Sequence, residues 1–300
     1  MGVTTIRRDG SRPAGGELPP RARRRRRRDG AAIATRVLAV VITLAALLPV
    51  LWVLRMSLIT REELFASPPT LIPKALTLSH YETIFSDPAF RRGLFNSVVI
   101  AGSATLLALV LGALAAYPLA RLRFRFRSVV MTGILALSFF PAVAIIAPLF
   151  VQFRSLGLLN SYVAVILADG VFVLPMTVWI LTAFFRQLPP ELEQAARIDG
   201  ASTLQAFRHV IVPLAAPGVF TAGILTFIFA WSEFLFANTF LFDDSKWPVT
   251  VVIPNFATQY TIDYGAQAAG SIVVIVPIVL LALVFQRRIV SGLTAGAVTG

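Results

Sequence analysis

The sequence predicts an all-α transmembrane protein of six spans with both termini cytoplasmic. Three observations carry that expectation. The 300 residues are 57% hydrophobic with a mean hydropathy of +0.78, and only 14% are charged, where a soluble domain carries about a quarter. Six stretches are apolar enough to cross a bilayer, which takes roughly 17–25 residues each. Of the 27 lysines and arginines, 20 fall in the segments such a topology places inside, in line with the positive-inside tendency.

Residues 1–36 come first. Arg21 and the run Arg23–Arg28 lie among Gly, Pro and Ala before the first apolar stretch. No aromatic residues interleave with them, so the net charge of +12 does not point to nucleic acid. The segment reads as a disordered basic cytoplasmic tail held at the membrane lipid surface. Arg55 follows the first apolar run directly and no small-residue cleavage site follows Leu54, so that run is expected to be an uncleaved span.

The expected spans are 37–57, 94–118, 129–151, 161–185, 216–240 and 267–286, forming one six-helix domain over 37–286. In the second span, Gly102 and Gly112 would allow close helix packing. Pro141 and Pro148 in the third, and Pro175 in the fourth, predict kinks or unwound turns where helices line a cavity. Residues 287–300 form a short C-terminal cytoplasmic tail. The absence of cysteine removes disulfide and thiolate-metal chemistry, and His80 and His209 are too far apart in sequence to suggest a metal pair.

The inner loop 187–213 is longer than a mere connection requires. Pro189 and Pro190 suit a helix start, and Glu191 and Glu193 suit its positive end. Leu192, Ala195, Ala196 and Ile198 fall mostly on one face. Asp199–Gly200 should end that helix, since glycine accepts a left-handed turn. Ser202 with Gln205 reads as a capping box opening a second short helix, and Pro213 and Pro217 should break the chain before the fifth span. The bland reading is an amphipathic connector on lipid headgroups. The functional reading is a rigid knob that docks into a partner.

Two acids, Asp169 and Glu233, are expected at membrane depth, where a carboxylate is costly and points to function. Asp169 beside Phe172 could accept hydrogen bonds from a substrate hydroxyl, or could be a structural carboxylate paired with a neighbouring helix. Trp231, Ser232 and Glu233 are expected near an outer gate, with an interfacial anchor as the plainer role for Trp231. The chain has only two lysines, Lys74 and Lys246, and neither stands in a phosphate-binding Gly-x-x-x-x-Gly-Lys loop. Energy must come from a partner or from an ion gradient. A proton-coupled secondary transporter using Asp169 and Glu233 is the alternative.

Glu193-Gln194-Ala195-Ala196, Asp199-Gly200-Ala201 and Val210-Ile211-Val212-Pro213 resemble the EAA loop of ATP-binding-cassette (ABC) import permeases, with Gln194 at the Glu position and Val210 and Val212 in place of Ile and Leu. Gly200 and Pro213 stand at matching positions. Ser67-Pro68-Pro69, Asn96-Ser97 and the tail after Gln286 are similar to sugar-uptake permeases of the maltose and trehalose type. The resemblance implies a six-span type I ABC importer (MetI-like) fold and a non-catalytic subunit with no cofactor of its own, ATP and Mg being bound by a partner. It implies four kinds of partner: a cytoplasmic ATPase dimer, a second homologous permease subunit, an extracytoplasmic sugar-binding protein and membrane lipid. It also implies that the loop residues Glu193, Gln194, Ala195, Ala196, Asp199, Gly200, Ala201 and Pro213 couple to the ATPase, and that Leu293, Thr294, Ala295, Gly296 and Gly300 contact it. In such permeases the pair at Asp169-Gly170 usually reads Pro-Tyr, so Asp169 is a departure specific to this chain.

Overall fold

A computed structural model describes residues 2, 21–68, 72–122, 124–257 and 262–295, and the side chains of 21–34 and 287–295 lie outside that description. Among the described residues the chain is helical, with one isolated β-bridge between Ala257 and Ile262 and no strand. Contacts divide it into two units, residues 1–52 and 53–300.

The first unit is most of helix α1 (Arg21–Leu58). Its backbone is already helical at Arg21, which corrects the disordered tail expected up to residue 36. Arg and Ala are both good helix formers, so the arginine run extends the apolar helix rather than preceding it. Residues 3–20 of that tail lie outside the described residues. The apolar part, Thr35–Leu58, is 24 residues long, about 36 Å of helix. Its side chains Val37 to Leu51 are exposed, as a helix apolar on every side is when its solvent is lipid.

The second unit holds the remaining elements. The short α2 (Arg61–Leu64) and α3 (Ser79–Ser86) precede α4 (Pro88–Arg121). Then come α5 (Arg127–Leu137), α6 (Ala142–Ser155) and α7 (Tyr162–Gln187). The loop helices α8 (Pro190–Ile198) and α9 (Thr203–Ala206) lead through a π-helical turn, Phe207–Ile211, into α10 (Val212–Leu214). The chain ends with α11 (Ala216–Trp231), α12 (Leu235–Phe240), α13 (Val249–Val252) and α14 (Tyr264–Ala295).

The centre of this unit is the packing of α4 against α7. Ala101, Ala104, Thr105, Ala108, Gly112 and Ala116 lie on the buried stripe of α4, and their small size lets the two backbones approach closely. A Cβ on Gly112 would lie 2.7 Å from Thr177 Cγ2. Gly102, expected to serve the same purpose, has no neighbour within 4 Å of such a Cβ, because it lies off the stripe. Thr177 also exchanges a 2.9 Å hydrogen bond with Thr226 of α11. The opposite face of α4, including Phe95, Val98 and Leu106, is exposed.

Among the described residues four single helices, α1, α4, α7 and α14, are long and apolar enough to cross a membrane. Two more candidates are bent pairs: α5 with α6 at 89°, and residues 203–214 with α11 at 76°. Of the prolines expected to unwind helices, Pro141 does so, standing at the start of α6 just after the break. Pro148 and Pro175 sit inside intact helices, where neighbouring elements tolerate the lost bond. The fifth stretch, expected as 216–240, is interrupted at Ser232–Phe234. The second begins at Pro88, capped by Asp87, rather than at 94. Helix α14 runs to Ala295, through most of the segment expected as a tail.

Candidate functional site

The loop between α7 and α11 builds a projecting pair of helices from local signals. Helix α8 starts at Pro190 and ends at Ile198, with Asp199 as its C-cap. Gly200 then turns at φ +90°, a conformation L side chains adopt at a cost. Ser202 N–H donates to Gln205 Oε1 at 2.8 Å while Gln205 N–H donates to Ser202 Oγ at 3.3 Å, the reciprocal box predicted for α9. Beyond it the Val212 N–H bonds to Phe207 O, an i→i−5 step. Pro213 supplies no N–H, which favours this slip in register. The chain bends at Ala215, with Pro217 admitted in the first turn of α11.

The tip and the root of this knob differ. At the tip Gln194, Ala195, Asp199 and Gly200 are exposed, with Ile198 85% and Leu204 66% exposed, while Ala196 and Ala201 are half-buried and Pro213 is exposed. At the root Glu193 turns inward. Its Oε1 accepts the Tyr117 hydroxyl at 2.5 Å and its Oε2 lies 3.4 Å from Arg121 Nε. Arg121 also donates to Leu188 O at 2.9 Å, and the Tyr117 ring packs on Phe207 with centroids 4.9 Å apart. One turn of α4 therefore grips both arms of the knob.

The second cluster lies at the other end of α7. Asp169 is fully buried, and neither carboxylate oxygen has a hydrogen-bond partner among the described residues. It lines a cavity of about 10 Å³ together with Ser97, Trp231 and Glu233. Glu233 occupies the break after α11 and accepts the N–H groups of Phe236 at 2.6 Å and Ala237 at 3.1 Å. That carboxylate caps α12, which is why the fifth stretch is not one helix. Trp231 is 4% exposed and donates from Nε1 to Val274 O at 3.1 Å, so it packs α11 on α14 and is not an interfacial anchor. Ser232 is exposed and bonds back to Ile228 O. Phe172 stacks on Phe229 at 5.6 Å and lines an apolar cleft of about 560 Å³ between α5, α6 and α7.

A third set of bonds fixes the loop after α12. Asn96 donates to Ser245 O and Trp247 O, both at 2.9 Å, and accepts the Tyr162 hydroxyl at 2.8 Å. Ser97 Oγ accepts the Val249 N–H at 2.9 Å. Asn160, at φ +57°, accepts the Phe242 and Asp243 N–H groups through its side chain and Lys246 Nζ through its carbonyl.

Residues 108–294, more than half of the chain, match the family described as the binding-protein-dependent transport system inner membrane component. The chain belongs to this family. The trehalose transport system permease protein SugB of Mycobacterium tuberculosis is 44% identical over 85% of this chain and 93% of its own length. The sulfoquinovosyl glycerol transport system permease protein SmoH of Agrobacterium fabrum is 42% identical over 87% and 92%. The trehalose/maltose transport system permease protein MalG of Thermococcus litoralis is 37% identical over 87% and 95%. Among solved structures, a bacterial ABC transporter that imports the acidic polysaccharide alginate matches with a TM-score of 0.74 over 91% of this chain and 99% of the other, at 23% identity. At that identity it is the fold that is shared.

The sequence-predicted residues of this ABC importer permease thus separate into places. Asp169, Trp231 and Glu233 meet at one cavity, while Phe172 and Ser232 point elsewhere. Leu293, Thr294 and Ala295 lie on the last turns of α14, and Gly296 and Gly300 fall outside the described residues. Tyr117 and Arg121 were not singled out from sequence. Their signal was present as a polar i,i+4 pair on one helix face at the C-terminal end of an otherwise apolar stretch.

Proposed function

We propose that this permease is the half-pore subunit of an ATP-driven importer of disaccharides of the trehalose or maltose kind. The exposed knob carries the reading. Its tip offers Ile198 and Leu204 to solvent on a rigid two-helix turn, and a soluble surface leaves such side chains open for a partner. Its root is clamped to α4 by Glu193, so force applied at the tip reaches the helix bundle through Tyr117 and Arg121. An ATPase dimer that binds ATP and Mg docks there through Gln194, Ala195, Ala196, Asp199, Gly200 and Ala201. This chain is the non-catalytic partner. Glu193 takes an internal role instead of pairing with the ATPase.

In this reading each bent pair counts as one span, which gives six, and the lysine and arginine distribution supports both ends lying on the cytoplasmic side of a prokaryotic inner membrane. A second, homologous permease subunit completes the pathway. An extracytoplasmic binding protein delivers the sugar to the loops 58–92 and 241–266, the latter braced by Asn96 and Asn160. The end of α14 and the residues beyond it contact the ATPase. Asp169 is enclosed in this conformation, so a bond from its carboxylate to a sugar hydroxyl requires α7 and α11 to separate. The names of the relatives support a sugar substrate, and two of them specify trehalose.

The test is co-purification from native membranes of the tagged wild type and of Gly200→Asp, with uptake of radiolabelled trehalose by the reconstituted complex. Recovery of an ATPase with the wild type and its loss with the variant supports the docking role. Uptake by proteoliposomes that contain no ATPase would instead favour the gradient-driven alternative.

A further inference from the structure

We infer that the cavity shared by Asp169 and Glu233 is a site for a single positive charge, a proton or a small monovalent cation, held where α7 meets the break between α11 and α12. The inference does not depend on the importer reading. Asp169 is fully buried, both of its oxygens lack a hydrogen-bond donor among the described residues, and the carboxylate borders the same void as Glu233.

Among the described residues that line the cavity there is no countercharge. The side chains that α4, α7, α11 and α12 contribute to the cavity are Ser97, Trp231 and aliphatic or alanine groups, with Pro248 closing one side. None is Lys, Arg or His. The neighbouring Lys246 is engaged with Asp243 at 3.5 Å and with Asn160 O at 2.9 Å, away from the void. The Ser97 hydroxyl oxygen receives the Val249 N–H and the Trp231 N–H is spent on Val274 O.

The two acids are not equivalent. Glu233 has two backbone N–H groups directed at its oxygens, a setting that stabilises a carboxylate. Asp169 has nothing comparable among the described residues, and an ionised carboxylate without donors in an enclosed site is strongly disfavoured. Two negative charges enclosed together are worse. One positive charge resolves both problems. A proton taken up from water forms an O–H on Asp169, which can then donate. A dehydrated cation would instead be bound by oxygens of both acids. The volume of about 10 Å³ is near the lower limit for one water, so the site fits a proton or small ion and excludes a sugar.

The assembled complex in lipid nanodiscs tests this by infrared difference spectroscopy of wild type against Asp169→Asn at neutral pH, in sodium chloride and in choline chloride. A protonated-carboxyl C=O band present in the wild type in both salts and lost in the variant identifies a proton. A band seen only in choline chloride identifies sodium displacing it. No band in either salt overturns the site. If Asp169→Asn fails to assemble, Glu233→Gln replaces it. The band should then shift in frequency, and an unmoved band overturns the sharing of one charge by the two acids.

Discussion

Glu193 of the knob and Tyr117 of α4 are joined by a 2.5 Å hydrogen bond across 76 residues of chain. The Glu193 side chain is 14% exposed and that of its ion-pair partner Arg121 10%. The bond is therefore largely shielded from water and couples the knob to a membrane helix.

Tyr117→Phe removes the donor and leaves the ring packed on Phe207. Hydrogen bonds to charged groups contribute about 1.5–3 kcal/mol, so a loss of that order in the stability of the knob's attachment is expected. The expected readout is ATP hydrolysis by the assembled complex that responds less to binding protein and sugar, with the amount of ATPase recovered unchanged. A double-mutant cycle with Glu193→Gln should be non-additive. Strict additivity would mean that the two residues act independently.

Gly200→Ala isolates a backbone effect. A Cβ there meets nothing within 4 Å, yet φ is +90°, so the cost is conformational, about 1–2 kcal/mol. Gly200→Asn should cost less, because Asn tolerates positive φ better than other non-glycine residues. Limited proteolysis of the loop between α8 and α9 measures this. Wild type should be cut most slowly, Asn next and Ala fastest.

Local features of this chain were legible in the sequence because short-range rules determine them. The Ser202–Gln205 box, the left-handed Gly200 and the break before α6 at Pro141 each follow from residues within one turn. Features that depend on helix rotation or on distant partners were not. Gly102 and Gly112 look alike in sequence, and only the facing of α4 toward α7 tells them apart. The interruption at Ser232–Phe234 lies inside an unbroken apolar window, and it exists because the Glu233 carboxylate captures two N–H groups of α12. The inward turn of Glu193 required knowing that Tyr117 and Arg121 stand opposite.

The two glycines of α4 make a paired test. Gly112→Ala brings a methyl to 2.7 Å from Thr177 Cγ2, and Thr177 is itself held by Val173 O and Thr226, so it cannot rotate freely out of the way. Overpacking of this kind costs about 1–3 kcal/mol. Gly102→Ala adds the same methyl to open surface and should be neutral or slightly stabilising through helix propensity. Thermal denaturation in detergent should give a clearly lower midpoint for the first alone. Equal midpoints would place the α4–α7 contact elsewhere.

Asn96 offers the corresponding test at the other end of α4. It is 3% exposed and links three segments: α4 itself, Tyr162 at the start of α7, and the carbonyls of Ser245 and Trp247. Asn96→Leu keeps the branching of the side chain but strands the Tyr162 hydroxyl and removes the donor to both carbonyls. A buried polar group left unpaired costs about 1–3 kcal/mol. The loop carrying Lys246 and Trp247 should loosen while α8 stays in place, since nothing in the Glu193 clasp depends on Asn96. Amide hydrogen exchange reads both regions in one experiment. Faster exchange at 241–252 with unchanged exchange at 190–198 is expected. Faster exchange at both would mean that the two ends of α4 respond as one body, and that the loop after α12 and the knob communicate through it.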